Sequence, residues 1–289
     1  MEELIGHHFT DKEKERVEIP IDVPSWNPET GKIEWTPIGY AYRHKINEEI
    51  LEIETKGRGT VKVTKAHSLF VFRDGKIQVI PAKDIKPGDY ILVAEKLPRI
   101  PFGPEVGKKE IFVTQHGKPV SLDEETAEHI GLITADGSSD KGRYVKISLN
   151  PEETELIHST KRYINDSLGL HATLYNRKGR KEVQVIYSSR PIVAKLKNMQ
   201  VLLKSRRKKV PSEIINSDVS IQLSYLKGLI EGDGHIDKYG DIIYSTRSEI
   251  LSKQVTYLLL LNGINPTIVK NKEDIHIRIA KNPYRTPPE

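Results

Sequence analysis

The chain of 289 residues is long enough for two domains, or for one domain with an internal duplication. It carries 45 Lys plus Arg against 40 Asp plus Glu, a formal net charge of +5, and no cysteine, which excludes disulfides, thiolate metal sites and cysteine nucleophiles. No stretch approaches the roughly 20 apolar residues of a membrane span, and the charged N-terminus lacks a signal-peptide pattern, so a soluble, cytoplasmic protein with no membrane contact is expected. The charge is unevenly placed: residues 1–98 are net −2 and residues 99–289 net +7, which favours a nucleic-acid partner in the second part.

Residues 1–16 are polar and without periodicity. From 17 to 95 the pattern is β. Short runs rich in Val, Ile, Phe and Tyr at 17–23, 33–42, 49–55, 60–64, 68–72, 76–81 and 90–94 alternate with turn formers such as Asn27-Pro28-Glu29-Thr30-Gly31 and Lys86-Pro87-Gly88-Asp89. Asp74-Gly75 between two apolar runs is a hairpin signal. An all-β domain over 1–98 is expected. Within it Thr64 and His67 stand three residues apart at a strand-to-strand bend, where a hydroxyl and an imidazole can polarise a carbonyl or protonate a leaving amide nitrogen. Pro98, Pro101, Pro104 and Pro119, with Gly103, Gly107 and Gly117, mark a linker over 99–118.

The region 119–289 is organised by a repeat. His129-Ile130-Gly131-Leu132-Ile133-Thr134-Ala135-Asp136-Gly137 recurs 97 residues later as Leu226-Lys227-Gly228-Leu229-Ile230-Glu231-Gly232-Asp233-Gly234. Each copy is an apolar helix with small residues at i and i+4, one face on which another backbone can approach closely. Each ends in Asp-Gly, a carboxylate followed by a residue free to leave the helix with positive φ. Ser121, with Glu124 at the capping-box position, and Ser220 are the expected N-caps. After each Asp-Gly the same order follows: strand 143–149, helix 151–168, strands 171–176 and 182–188 and helix 191–203, then strand 241–246, helix 249–262 and strands 266–270 and 274–280. Two pseudo-symmetric αββαββ(α) halves, 119–210 and 218–289, are the economical reading. The second half ends about 20 residues sooner, in a proline-rich segment that cannot form the matching last helix. Stability and activity of that half are therefore in question.

Two resemblances follow. Val61 to Ile91, with Thr64-Lys65-Ala66-His67 and Lys86-Pro87-Gly88-Asp89, resembles the Thr-x-x-His part of intein self-splicing (Hint) domains. In that family His67 would assist the acyl shift at the upstream junction. The chain begins with Met1 and ends Pro287-Pro288-Glu289, so the resemblance implies a degenerate or truncated splicing motif and no splicing by this polypeptide. The paired nonapeptides resemble those of LAGLIDADG homing endonucleases, many of which sit inside inteins.

The second resemblance implies an α+β endonuclease domain after the all-β Hint-like domain, with Asp136 and Asp233 as catalytic acids and metal ligands and Mg²⁺ or Mn²⁺ as cofactor. It also implies double-stranded DNA with a long pseudo-symmetric target as substrate, cut across the minor groove. The duplication makes a monomer sufficient. A basic side chain near the centre is implied; Lys204 is the first choice, with Lys208 and Lys209 as alternatives. DNA contacts are expected on one face of each half-sheet, from Arg143, Lys146, Ser148, Tyr175, Arg177, Lys178, Gln184 and Tyr187, and from Lys238, Tyr244, Thr246, Arg247, Lys270, Lys272, His276 and Arg278. The leading expectation is a metal-dependent, site-specific DNA endonuclease. A decayed relic that binds DNA without cutting, or a splicing fragment acting in trans, are the alternatives.

Overall fold

The computed structural model describes residues 9–10, 14–99, 109–177 and 179–281. It divides into two units, Met1–Pro101 and Phe102–Glu289.

The first unit is built of short antiparallel ribbons. β1 (Lys14–Val17) pairs with β4 (Ala41–His44), β2 (Asp22–Trp26) with β3 (Ile33–Pro37), and β5 (Ile50–Thr55) with β6 (Gly59–Thr64), while β7 (Ser68–Arg73) lies between β8 (Lys76–Pro81) and β9 (Tyr90–Ile91). The runs expected at 17–23 and 33–42 are each split. The first breaks around Pro20 and the second just after Pro37, where a residue without an N–H cannot extend a ladder. Asp74 and Gly75 both have positive φ, 53° and 75°, the two-residue turn whose twist suits a hairpin. Its core is small: Ile19, Val63, Val71, Ile80 and Ala82 are buried, whereas Phe72, Val79 and Tyr90 stand exposed.

In the second unit, the stretch expected as linker contains the first strand and the turn of a hairpin. β10 (Glu110–Val113) pairs with β11 (Pro119–Ser121) because Ile111, Phe112 and Val120 have a core to enter. Then come α1 (Glu124–Asp136), β12 (Gly137–Asp140), β13 (Tyr144–Leu149), α2 (Thr154–Arg162), β14 (Thr173–Asn176), β15 (Val183–Ser188) and α3 (Arg190–Asn198). After the four-residue α4 (Ser212–Ile215), the order returns as α5 (Val219–Asp233), β16 (Gly234–Ile236), β17 (Ile242–Thr246), α6 (Glu249–Leu261), β18 (Thr267–Asn271) and β19 (Asp274–Ile279). The sheets have matching orders, β12-β13-β15-β14 and β16-β17-β19-β18. Their registers match as well, since Gly137 faces Ile147 and Gly234 faces Tyr244.

Two expectations about helix ends are corrected. Asp123, not Ser121, caps α1, its carboxylate accepting from Thr126 N at 2.8 Å, and α5 begins after Asp218, one residue before Ser220. Gly137 and Gly234 leave their helices at φ −78° and −99°, so positive φ is not what selects glycine. A Cβ at Gly137 would overlap Ile133 O, and one at Gly234 would overlap Ile230 O. Glycine is required because the strand starts against the last helical turn.

Candidate functional site

The site begins with two helices packed backbone to backbone. α1 is buried nearly all round, from Thr126 to Ala135 with Glu128 the exception, as befits a helix enclosed by the fold. At the crossing, a Cβ on Gly131 would overlap Tyr225 O and stand 2.8 Å from Leu229 N, and one on Gly228 would overlap Glu128 O and stand 3.0 Å from Leu132 N. Each contact is the other shifted by the 97-residue repeat. Lys227 Nζ closes one edge with an ion pair to Glu128 at 2.8 Å.

The close approach carries the two acids to one end of the seam. A Cβ on Gly232 would lie 2.9 Å from Asp136 Oδ2, so the Asp136 carboxylate abuts the backbone just before Asp233. Both also meet the carbonyl ends of their helices, the unfavourable pole for an anion. Burial, reinforced by the Asp233 charge, pushes Asp136 up to about 7. Asp233 reaches solvent at the foot of the seam, yet the protein packed round it raises its carboxyl as well. The pair therefore retains a proton longer than isolated aspartates would.

The cation that answers them is Lys208. Its Nζ donates to Thr134 O and to Ala135 O, both at 2.6 Å, covering carbonyls that α1 leaves unpaired. Burial lowers its pKa, against the upward pull of Asp233 and then Asp136. Lys204, the first choice from sequence, is exposed at the start of a tight turn over Ser205–Arg207, and Lys208 takes the central place. Beside Asp136 opens a cleft of about 590 Å³ whose rim includes Ser148, Glu153, Lys181 and Glu182.

Among the other expected site residues, alternation sorts sides. Tyr187 and Tyr244 are 1% exposed and point into the core, so they are removed from the DNA-contact set. Tyr187 OH instead meets His129 Nε2 at 3.1 Å. Thr246 shares the inner side with its partner Ile275. Lys270 pairs with Glu249 at the start of α6, on the helix-covered side. Arg278 is held by Asp237 at 3.3 Å and by Asp241, which makes it a structural ion pair. Lys178 lies outside the described residues.

On the outer sides stand Lys146, paired with Asp140 at 2.9 Å, then Ser148, Gln184, Tyr175 and His276. Arg143 lies over Tyr144 and Lys238 over Tyr239. Arg177 pairs with Glu182 and Arg247 with Asp274, and Lys272 occupies the β18–β19 turn. In the first unit His67 is exposed and its N–H donates to Thr64 O at 3.1 Å, so the two residues share a turn. Sequence reasoning missed Glu182, whose only signal is its place one residue ahead of β15.

The intein splicing domain model matches residues 1–276. The chain belongs to the intein splicing domain family. It is 28% identical over 245 residues to the transcription initiation factor IIB of Methanocaldococcus jannaschii, covering 85% of the chain and 31% of that protein. It is 27% identical over 278 residues to the DNA-directed RNA polymerase subunit Rpo1C of the same organism, covering 88% of the chain and 31% of that protein. The chain thus spans about a third of the length of these curated relatives.

Among solved structures it is similar to mesophilic variants of the homing endonuclease I-DmoI, with a TM-score of 0.43 and 19% identity over 55% of this chain and 90% of that one. The same scaffold solved with DNA and Mn gives the same score. The N-terminal LAGLIDADG domain of DUF199/WhiA gives 0.40 at 15% identity over 56% of this chain and 77% of that one. No helix among the described residues is long and apolar enough to cross a membrane.

Proposed function

We propose that the second unit is a LAGLIDADG-type homing endonuclease that hydrolyses both strands of a long pseudo-symmetric DNA site with a divalent metal ion, and that it acts as a monomer. The observation that carries this reading is the convergence of Asp136 and Asp233 on one end of a glycine-packed seam, with Lys208 held at the same end by the carbonyls of Thr134 and Ala135. Two similarly arranged halves give one acid per strand. The first unit is the Hint-like part, with Thr64 and His67 as its splicing motif. Matches of one module to parts of a transcription factor and of an RNA polymerase component support an inserted element.

The acids fit a hard divalent ion. Two carboxylates forced together at helix carbonyl ends are relieved by a cation, and Mg²⁺ is commonly held by one or two carboxylates plus substrate phosphates. Among the described residues no cluster of three His, Asp or Glu side chains is arranged to hold a metal, so phosphate oxygens would complete the shell. Asp136 and Asp233 would hold such an ion, which when bound would supply activation of water and neutralisation of the leaving oxygen. Asp136 must release its proton before it can bind the ion. Lys208, fixed by the α1 carbonyls, offsets the negative charge of the acids and orients water toward the phosphorus.

The test is incubation of the purified chain and Mg²⁺ with plasmids bearing the uninterrupted alleles of its relatives' host genes. A discrete cut is the expected result. Tight binding to one duplex without metal-dependent cutting would instead assign a DNA-binding relic.

A further inference from the structure

Where the two halves differ shows what the fold itself does not require. α1 and α5 correspond with the 97-residue shift of the repeat, and the next helices, α2 and α6, align from the residues that precede them, Glu153 and Ser248. On that alignment His129 corresponds to Leu226, Thr160 to Val255 and Tyr163 to Leu258. All six are buried. The second half therefore has hydrocarbon at these positions, whereas the first half buries an imidazole, a hydroxyl and a phenol there, a more costly choice. The backbone changes too. From Glu153 to the positive-φ Gly169 is sixteen residues, and from Ser248 to the positive-φ Gly263 fifteen. The extra residue is taken up in a π turn over Tyr163–Ser167, a device that recurs at functional sites.

These same three residues line a cavity of about 300 Å³ between α1 and α2, a volume at the lower end of the range of about 300–1,000 Å³ for small-molecule sites. His129 Nε2 lies 3.1 Å from Tyr187 OH, while Nδ1 has no hydrogen-bond partner among the described residues. The Thr160 hydroxyl has none either, although Thr160 is only 5% exposed. Buried polar atoms without partners are costly, and a ligand in the cavity would supply them. Leu132 and Leu156 add apolar wall beside the Tyr163 ring. Charges of both signs stand on the exposed part of the lining. Arg162 and Asp166 are four residues apart, yet no ion pair engages either among the described residues. Glu125 accepts from Ser167 Oγ at 3.1 Å, and Glu128 is already engaged by Lys227. The cavity thus offers a free guanidinium and free carboxylates at the edge of an apolar, aromatic interior.

We infer that this cavity binds a zwitterionic α-amino acid with an apolar side chain, its carboxylate on Arg162, its ammonium on Asp166 and Glu125, and its side chain against Leu132, Leu156 and the Tyr163 ring. A guanidinium is well matched to a carboxylate. A simple cation would leave Arg162 unanswered, and a simple anion would meet the two acids. The site is separate from the acids at the foot of the seam, although α1 carries both His129 and Asp136, seven residues apart.

The experiment is calorimetric titration of the full chain with L-leucine and L-phenylalanine, beside 3-methylbutylamine and 4-methylpentanoate, which keep the leucine side chain and one charge each. At least one amino acid is expected to bind at millimolar concentration or below, and its single-charge analogues about 10-fold more weakly or worse, about 1.4 kcal/mol. The double variant His129→Leu with Thr160→Val carries the second half's residues, so it should melt no lower than wild type and lose binding about 10-fold or more. Arg162→Met, at an exposed position, should weaken the amino acid and leave 3-methylbutylamine unchanged. No binding of either amino acid at about 10 mM, or undiminished binding by the folded variants, overturns the site. Binding of the amine as tight as that of the amino acid overturns the zwitterion. The endonuclease reading stands or falls separately, on DNA cleavage.

Discussion

Lys208 Nζ donates to the carbonyl oxygen of Ala135 at 2.6 Å, at the end of the helix that carries Asp136. That single contact ties the segment joining the halves to the first acid. It places a cation where two raised carboxylates need one, and a half-buried lysine is costly to keep unless it has such partners. Lys208→Met is expected to lower the DNA cleavage rate about 100-fold or more, whereas Lys204→Met stays near wild type. Single-turnover rates on a target plasmid distinguish the two lysines.

At the proposed metal centre the raised acids should make ion binding depend on pH. Asp136 is pushed up to about 7 by burial and by Asp233, so a proton competes with the ion below that value. The Mg²⁺ concentration for half-maximal cleavage should fall as pH rises from about 6 to about 8. Stability moves the other way. A carboxyl whose folded pKa is raised binds more protons folded than unfolded between its unfolded value and about 7, so its contribution weakens as pH rises through that window. Without metal, Asp136→Asn should melt higher than wild type near pH 8, and the gain should shrink toward pH 5.

His129 supplies the opposite dependence. Fully enclosed against Tyr163 and Tyr187, it is lowered to about 3 by burial. The unfolded chain therefore takes up a proton that the folded chain refuses, and stability falls as pH drops below about 6.5, by about 1.4 kcal/mol per unit until the folded pKa is reached. Denaturant melts of His129→Gln should lack this slope.

At the helix crossing a methyl group has no room. Gly228→Ala would overlap Glu128 O and should cost about 1–3 kcal/mol or more, with cleavage lost as the acids separate. Gly31→Ala, where no atom lies within 4 Å of the added Cβ, changes only a turn in the first unit. Strain at its positive φ of 68° costs about 1 kcal/mol, and cleavage should be unaffected.

Much of this was legible in the sequence because the repeat carries its own geometry. Small residues four apart on two apolar helices leave few packings other than a close crossing, and matched element order after each Asp-Gly fixes the paired sheets. What was not legible depended on packing phase. The role of Gly137 and Gly234 is lack of space rather than φ, which only the strand's path off the helix reveals. Tyr187 and Tyr244 alternate correctly with their neighbours but fall on the inner side. Lys208 was one of five basic residues between 204 and 209, and no local pattern says which of them turns inward. Ile111 and Phe112 were overshadowed by the surrounding Pro and Gly.

The most direct measurement is a time course of supercoiled target plasmid in Mg²⁺ with wild type, Asp136→Asn and Asp233→Asn. If the two acids form one shared centre, wild type converts the plasmid to linear product and neither folded variant does so. Linear product from either variant at the wild-type rate would contradict the account.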